Sequence, residues 1–512
     1  MSRTSNSIRN SSYAIAVQIL TVLLNFIIRT VFIKTLSVSY LGLNGLFTNI
    51  LTVLSFAELG FGTAIVYAMY TPIAKGDYRK ITAYMNFFAK VYSVVGLSIL
   101  LVGLMLIPNL EFFISDTAEI PVDAPPLWLI YTLFLLNSAA SYFFNYKRSL
   151  VVATQNGYLD SRNQLSFNLL KSMLQLLVLL VWKSYLGYLV IQILCSLLAN
   201  IAISVRADNL FPYLRTYSAE RLSKEEKRDL EKNVIAMTFH KLGSVVVSGV
   251  DNILISKFVG IFAMGCYSNY TLISSTIKTL FVQIMSPITA SVGNFVAEKT
   301  MDESANFFSK LLFVNAYVAV FCTSCLYVLS DAFIKQFWGE GYLLPAVTVA
   351  VFYLNFYVDR MRQTAQIYID TNGLFWPIKW KSFIESIINL AASCYFLLVL
   401  HWGICGIILG TLTSNLLTNF WWEPYVVYKY AFKQSMTEYF KKYIQYFGAL
   451  IVSIGISLVF TCRFPNTIWG FLFKAAIAGI VPNVVLCVCF FRTAEFHYFE
   501  NILRGLLRKI RK

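Results

Sequence analysis

The feature that most constrains this chain is a series of long apolar segments, some of which carry the same polar pattern. Residues 233–258 are apolar and long enough to span a bilayer. At spacings of three and four residues this segment carries Lys241, Ser244, Ser248 and Asn252. Such spacings place side chains on one face of a helix. Because polar groups avoid lipid, we expect this face to line a polar cavity or a helix contact.

The same pattern occurs near the start of the chain. Subtracting 223 from those four numbers gives the polar residues of the first apolar segment, Gln18, Thr21, Asn25 and Arg29. In the next segment, the same offset aligns Thr271, Ser275 and Lys278 with Thr48, Thr52 and Ser55. Further along, the offset falls to 216, where Ser382-Phe383 matches Ser166-Phe167, as loop deletions would cause. We therefore expect the second half to be a copy of the first with the same topology.

The composition excludes a soluble protein. Of 512 residues, 57% are hydrophobic and 13% are charged, against about 25% charged in a soluble domain. The formal net charge of +16 is interpreted as cytoplasmic loop charge rather than nucleic-acid binding. The sequence contains no GxxxxGK[ST] phosphate loop, no HExxH and no GxSxG elbow. We therefore expect a protein without enzymatic activity or cofactor, driven by a proton or sodium gradient or by the membrane potential.

The apolar segments predict an all-α polytopic membrane protein with about 14 transmembrane helices. The spans are 13–36, 41–70, 82–107, 126–146, 163–182, 185–205, 233–258, 261–295, 306–330, 343–369, 378–400, 403–427, 440–461 and 467–491. Loops after even-numbered spans are rich in Lys and Arg, whereas the loop after span 3 is acidic. The positive-inside rule therefore places both termini in the cytoplasm.

The repeat divides the chain into two parallel six-helix lobes and two added helices. The predicted divisions are an N-terminal lobe at 1–206, a cytoplasmic linker at 207–232, a C-terminal lobe at 233–430, two further transmembrane helices at 431–492 and a basic amphipathic cytoplasmic tail at 493–512. A copy that contains six helices keeps its orientation, so an axis along the membrane normal relates the lobes.

Charged residues inside spans are the candidate functional residues. A charge at the bilayer centre costs roughly 2.5–3.5 kcal/mol, and an anion such as a diphosphate would compensate a group of cations. The stripes and the repeat predict four cavity cations, Arg29, Lys90, Lys278 and Lys310. The polar residues predicted to line the cavity are Gln18, Asn25, Lys241, Ser248, Asn252 and Ser275. Glu58 and Asp251 are candidates for charge pairing or ion coupling. The alternative for the lysines near helix ends is that they extend to the membrane interface.

The first two spans carry a family resemblance. The stretch from Arg9 to Ala74, with its "YLGLNGLF" and "AELGFGTAI" motifs, resembles the multidrug/oligosaccharidyl-lipid/polysaccharide exporter superfamily and, within it, the Wzx-type polysaccharide flippases. The resemblance implies a MATE-like pair of lobes in a V shape. It also implies alternating-access transfer of a polyprenyl-diphosphate-linked oligosaccharide across a bacterial cytoplasmic membrane. The implied partners are membrane lipids, a polysaccharide polymerase and other assembly proteins.

Three other functions remain open. A peptidoglycan lipid-precursor flippase would have the same fold. A cation-coupled multidrug exporter would favour an acidic, aromatic cavity, whereas basic residues dominate here. A membrane polymerase or glycosyltransferase is disfavoured, because the outer loops are short and no DxD motif was found.

Overall fold

The fold is known from a computed structural model of the chain. It describes residues 20–55, 65, 68–69, 71–73, 75–154, 156–216, 222–228, 230, 234, 249–465 and 467–510. The chain forms two compact units, which we call unit 1 (Met1–Gly265) and unit 2 (Cys266–Lys512). The predicted division into two lobes, a linker and two added helices stays a prediction.

The described part of unit 1 is helical. Its helices are α1 (20–35), α2 (Ser39–Leu54), α3 (Tyr78–Leu106), α4 (Leu127–Ala153), α5 (Gly157–Val181), α6 (Tyr185–Leu210), α7 (249–258) and the first turn of α8 (Ile261–Glu298). Side-chain caps fix where several begin, because they satisfy backbone N–H groups of the first turn. Asp77 accepts from Lys80 N at 3.0 Å, and Ser184 accepts from Gly187 N at 3.1 Å.

Unit 2 contains the rest of α8 and seven further helices. They are α9 (Met301–Phe337), α10 (Ala346–Met361, continued by Gln363–Thr371), α11 (Lys381–Cys394), α12 (Gly403–Ser414, continued to Phe432), α13 (Thr437–Thr461), α14 (Ile468–Phe490) and α15 (Ala494–Ile510). Helix α9 begins with a reciprocal capping box between Thr300 and Glu303. Within the described ranges, nine helices are long and apolar enough to cross a membrane. The all-α polytopic membrane fold is confirmed, and the number of 14 spans stays a prediction.

Helix α12 is widened on both sides of a proline. Pro424 lies within Phe420–Val426, and π-helical turns at Asn415–Asn419 and Val427–Phe432 flank that segment. A proline inside a helix lacks an N–H donor and clashes with the preceding turn, and wider turns are a common accommodation. The register that results aligns Asn415, Asn419 and Glu423 at steps of four on one helix face.

A close helix crossing in unit 1 joins residues that the offset of 223 relates. A Cβ atom on Gly42 would lie 2.1 Å from the carbonyl oxygen of Ile261, and one on Gly265 would lie 2.5 Å from that of Val38. Both pairs are related by the offset of 223, since Val38 corresponds to Ile261 and Gly42 to Gly265. Only glycine permits such an approach of two backbones. The predicted repeat therefore reappears as a reciprocal contact between α2 and α8.

The tail helix α15 packs against unit 2. Phe499 contacts Tyr317 of α9, with ring centroids 4.5 Å apart. Lys442 Nζ donates to Glu495 Oε1 at 2.7 Å. Burial acts to raise the pKa of Glu495, but the hydrogen bond and charge of Lys442 outweigh it and hold that pKa below its usual range. A carboxyl whose pKa is lowered on folding stabilises the folded state above its unfolded pKa, and that contribution is lost as pH falls through the lowered value.

We therefore expect acid to loosen the docking of α15. Below about pH 4, where glutamate takes up protons, amide hydrogen exchange in α15 should accelerate beyond the intrinsic effect of pH. Glu495→Gln should show the faster exchange already at pH 7. The matched control is Glu500→Gln, since Glu500 pairs with Arg504 of the same helix. Equal exchange in both variants would show that the Lys442–Glu495 bond does not hold the tail helix.

Candidate functional site

Unit 1 contains a half-open polar cavity of about 660 Å³ between α2, α4, α5 and α6. This volume is within the range of about 300–1,000 Å³ that is usual for ligand pockets. Its polar lining consists of Thr48, Thr52, Ser55, Asn137, Ser138, Ser141, Arg148, Gln164, Asn168, Lys171, Gln192, Ser196 and Asn200. No carboxylate is among the described residues that line it. The cavity therefore offers amides, hydroxyls and cations to a ligand.

Helix α5 contributes the most polar wall, for a reason visible in its sequence. Gln164, Asn168 and Lys171 follow one another at steps of four and three, which places them on one helix face. Met173 and Leu180 are exposed, as expected for side chains that face lipid in a membrane-spanning helix. The two faces of α5 thus separate a cavity from the bilayer.

Two neighbouring helices complete the wall by the same rule. Gln192, Ser196 and Asn200 repeat every four residues along α6 and line the cavity together. On α2, the hydroxyl of Thr52 donates to the carbonyl oxygen of Thr48 at 2.8 Å. Such an internal bond uses the hydroxyl proton and leaves the oxygen lone pairs available as acceptors. The cavity therefore presents both donors and acceptors.

Several lining groups have no protein partner. Within the part of the chain that the structure describes, no hydrogen bond or ion pair joins another residue to the side chains of Asn137, Asn168, Lys171, Gln192 or Asn200. Polar groups inside a membrane protein are normally satisfied by protein or water. These five side chains are therefore available to hydrogen-bond a ligand or the water that it displaces.

One of the two cations in the lining is already neutralised. Arg148 Nε donates to Asp160 Oδ1 at 2.7 Å, and Gln164 Nε2 donates to Asp160 Oδ2 at 2.8 Å. Lys171 is half-buried and forms no such pair with any described residue. The described lining residues consequently carry a net positive charge, located at Lys171.

The internal repeat shows that this polarity is particular to unit 1. At the offset of 216, Asn168 and Lys171 on α5 correspond to Ile384 and Ile387 on α11. Both isoleucines are exposed, Ile387 to 52%, as suits a lipid-facing helix surface. The polar stripe of α5 is therefore not a by-product of the duplicated fold, because the copy lacks it.

Unit 2 contains a second polar feature, which we call the charge cluster. Its members are Lys278, Asp359, Arg360, Arg362, Lys381, Glu385 and Glu423. At its centre, Glu423 is 1% exposed. Arg362 donates to the two Glu423 oxygens at 2.7 and 2.9 Å, and Lys381 donates to Oε1 at 2.5 Å. Four cations face three carboxylates, so the cluster has a net charge of one positive.

The outer part of the charge cluster is more open. Lys278 Nζ lies 3.1 Å from Asp359 Oδ2, and its side chain is 52% exposed. Asp359 also pairs with Arg360 and with Arg362, the latter at 3.5 Å. Lys278 can exchange the Asp359 carboxylate for a ligand anion. Asp359 would not be left unpaired, because it has two other cationic partners.

The structure distributes the predicted site residues widely. Gln18, Glu58, Lys241 and Ser248 lie outside the described residues. Asn25, Lys90 and Ser275 are exposed, and Asp251 is buried and Asn252 half-buried on α7. Arg29 is half-buried on α1 and acts electrostatically on Tyr188. Lys310 lies 5.6 Å from the ring centroid of Tyr498 in the tail helix. None of those described lines the unit 1 cavity.

Several cavity residues were not selected from the sequence. The polar stripe Thr48, Thr52 and Ser55 does line the cavity. Lys171 is one of the charged residues within the predicted spans, but neither it nor Asn168 nor the α6 residues were assigned to the cavity. A signal for them existed, because polar residues recur at helical spacing in two successive apolar spans. The polar stripe of α5 does not recur in the second half, because Ile384 and Ile387 occupy the positions that correspond to Asn168 and Lys171.

Comparisons with known proteins show the fold. No protein-family model and no curated protein sequence matches the chain. The chain is similar to the structure of the lipid II flippase MurJ in an inward closed conformation, with a TM-score of 0.66 and 13% identity over 93% of this chain and 98% of that one. It is similar to an inward-facing multidrug resistance MATE family transporter of the MOP superfamily, with a TM-score of 0.58 and 13% identity over 81% of this chain and 98% of that one.

A third likeness is to a mutant form of the Vibrio cholerae MATE transporter VcmN, with a TM-score of 0.56 and 14% identity over 83% of this chain and 98% of that one. The predicted MOP-type fold is confirmed by these likenesses. The assignment to the polysaccharide flippase branch stays a prediction. The MurJ structure corresponds to a larger share of this chain than either MATE structure does.

Proposed function

We propose that the protein is a flippase that moves a polyprenyl-diphosphate-linked oligosaccharide from the inner to the outer leaflet of a bacterial cytoplasmic membrane by alternating access. The unit 1 cavity carries this proposal. Amides and hydroxyls are the groups that hydrogen-bond sugar hydroxyls, and a membrane-embedded cavity lined by them suits a hydrophilic head group on a lipid. The fold shared with MurJ, which is a lipid II flippase, supports the same function.

The depth of the cavity agrees with a transport site. Lys171 follows Gly157, the first residue of α5, by 14 residues, or about 21 Å at 1.5 Å per residue. The helix spans 25 residues in all. The free amides around Lys171 are therefore well inside the bilayer, where a flippase must shelter the sugars from lipid.

The diphosphate of the substrate requires cations, and Lys278 is the best-supported one. Its ion pair with Asp359 is half-exposed and exchangeable. Arg29, Lys90 and Lys310 remain candidate partners for the diphosphate, although Lys310 contacts Tyr498 of the tail helix. Transport by alternating access requires that the substrate bind one state more tightly than the other. If a substrate phosphate replaced Asp359 as the ion-pair partner of Lys278 in one state only, the two states would differ in their affinity for the substrate.

The alternatives make different demands on the cavity. A multidrug exporter of organic cations would need a carboxylate or an aromatic cage there, whereas Lys171 repels cations. A peptidoglycan lipid-precursor flippase would use the same chemistry and is the second candidate, favoured by the coverage of MurJ. A polymerase or glycosyltransferase is the least supported. The proposal includes transport that is driven by a proton or sodium gradient or by the membrane potential. It also includes association with a polysaccharide polymerase and other assembly proteins.

The test uses cavity variants in cells that lack the chromosomal gene. Gln192→Leu combined with Asn168→Leu replaces two amides that have no described protein partner with apolar side chains. We expect the lipid-linked oligosaccharide to accumulate and surface polysaccharide to fall at least tenfold, because each lost hydrogen bond to a bound polar group costs about 1 kcal/mol or more. Lipid extracts and surface polysaccharide are measured at matched protein levels.

The matched control is Asn209→Leu, which removes an exposed amide from α6 outside the cavity lining. It should leave both readouts unchanged. An unaltered lipid-linked pool in the double variant, or altered drug sensitivity in its place, would contradict the proposed function.

A further inference from the structure

Among the described residues that line the unit 1 cavity, Lys171 is the one charge without an ionic partner. Lys171 faces a space that it shares with Asn168, Gln192 and Asn200, and Cys195 lies close enough to interact with its charge. A charge inside the bilayer costs several kcal/mol unless a partner accompanies it. The described residues provide no anion for Lys171. The ligand itself is therefore the natural source of the missing negative charge.

The number and type of cations indicate which anion fits. A diphosphate carries two or more negative charges and is usually held by several cations or by the fork of an arginine. The described lining of the unit 1 cavity offers one ammonium, that of Lys171, since Arg148 is paired with Asp160 at 2.7 Å. A carboxylate carries one charge, which one ammonium balances. The surrounding amides and hydroxyls then match neutral hydroxyl groups on the same ligand.

We propose that Lys171 recognises the carboxylate of an acidic sugar, such as a uronic acid, in the head group of the transported lipid. This inference rests on the proposed function and narrows its substrate class to acidic oligosaccharides. The carboxylate accepts a charge-assisted hydrogen bond from Lys171 Nζ. Asn168, Gln192 and Asn200 bond the ring hydroxyls.

The proposal explains selectivity as well as binding. A neutral sugar would leave the Lys171 ammonium without an anion after it displaced water from the cavity. Leaving a buried charge unpaired is costly, so neutral head groups should bind more weakly. The repeat supports a specialised role, since Ile387 occupies the corresponding position in unit 2.

The test compares two disaccharides that differ in one group. One is glucuronosyl-N-acetylglucosamine, and the other is its carboxyl-reduced form, in which CH₂OH replaces the carboxylate. Binding of each to purified full-length protein in detergent is measured by saturation-transfer NMR at neutral pH. Inorganic pyrophosphate is the third probe. The variants are Lys171→Gln, Lys171→Arg and the control Lys257→Gln, since Lys257 is a unit 1 lysine that packs on Phe112 outside the cavity lining.

We expect the acidic disaccharide to bind the unmodified protein at least about tenfold more tightly than the reduced one, because charged hydrogen bonds contribute about 1.5–3 kcal/mol. Lys171→Gln should abolish the difference, and Lys171→Arg should retain most of it. Lys257→Gln should behave as the unmodified protein does. Thermal melting of each variant establishes whether it is folded. If Lys171→Gln is not folded, binding of the two disaccharides to Lys171→Arg tests the proposal instead.

Two results would overturn the inference in different ways. Equal binding of both disaccharides to the unmodified protein would show that the cavity ignores the carboxylate, while leaving the flippase proposal intact. Pyrophosphate binding that is lost in Lys171→Gln, and that competes with both sugars, would assign Lys171 to the diphosphate. Failure of the flippase proposal is recognised separately, by transport of the lipid-linked oligosaccharide.

Discussion

Replacing Glu423 with alanine should destabilise unit 2 by about 3–5 kcal/mol, the usual cost of removing one partner from a buried ion pair. The carboxylate is 1% exposed and receives hydrogen bonds from both Arg362 and Lys381. Without it, two cations remain buried on helices α10 and α11. The measurement is thermal unfolding of the purified protein, with the soluble fraction after heating as a second readout.

The control and a rescue make the reason testable. Glu438→Ala removes an exposed carboxylate, whose partner Lys441 is also exposed, and should leave the stability unchanged. Combining Glu423→Leu with Lys381→Leu and Arg362→Met should recover most of the loss, because an apolar replacement of a whole buried ion cluster is often neutral. A Glu423→Ala protein as stable as the control would show that the charge cluster is solvated.

The second large effect is expected at the crossing of α2 and α8. Gly42→Ala adds a Cβ atom that would lie 2.1 Å from a backbone oxygen, and Gly265→Ala adds one at 2.5 Å. A backbone oxygen cannot move aside as the end of a flexible side chain can, so helices α2 and α8 must separate. Overpacking costs about 1–3 kcal/mol and sometimes more, and we expect the upper end of that range at Gly42. The protein that remains soluble after heating in detergent measures the loss.

The matched control is Gly455→Ala in α13. A Cβ atom there meets no atom within 4 Å, and alanine is the better helix former by about 1 kcal/mol. This variant should be as stable as the unmodified protein or more so. If Gly42→Ala resembled it, the two helices would not cross as closely as described.

The sequence predicted the fold well because its signals are periodic and repeated. Apolar length, polar stripes and the offset of 223 each follow from helical geometry. The offset that aligned Gly42 with Gly265 corresponds to a real reciprocal contact. The ends of the predicted spans agree less well with the helices of the structure. Helix α4 ends at Ala153 and α5 begins at Gly157, both within a stretch too polar to be assigned to a membrane span.

The candidate site was predicted less well, for a physical reason. A single sequence shows that Lys171 and Asn168 share a helix face, but packing decides whether that face meets lipid, protein or a cavity. Polar stripes that recur in both halves are the stronger sequence signal, whereas Asn168 and Lys171 correspond to isoleucines at the offset of 216. The charge cluster could not be predicted from the sequence either. Arg362 and Glu423 are 61 residues apart in the chain, and only packing of the helices brings them together.

The most direct measurement of the central claim is transport by the purified protein in liposomes. A fluorescent polyprenyl-diphosphate disaccharide is placed in both leaflets, and a membrane-impermeant quencher reports which molecules cross. With the unmodified protein or Asn209→Leu, the inner-leaflet molecules should reach the quencher and lose their fluorescence, and with the Asn168→Leu, Gln192→Leu double variant this loss should be at least tenfold slower. Equal rates for liposomes with and without the protein, under an imposed ion gradient or membrane potential, would contradict the account.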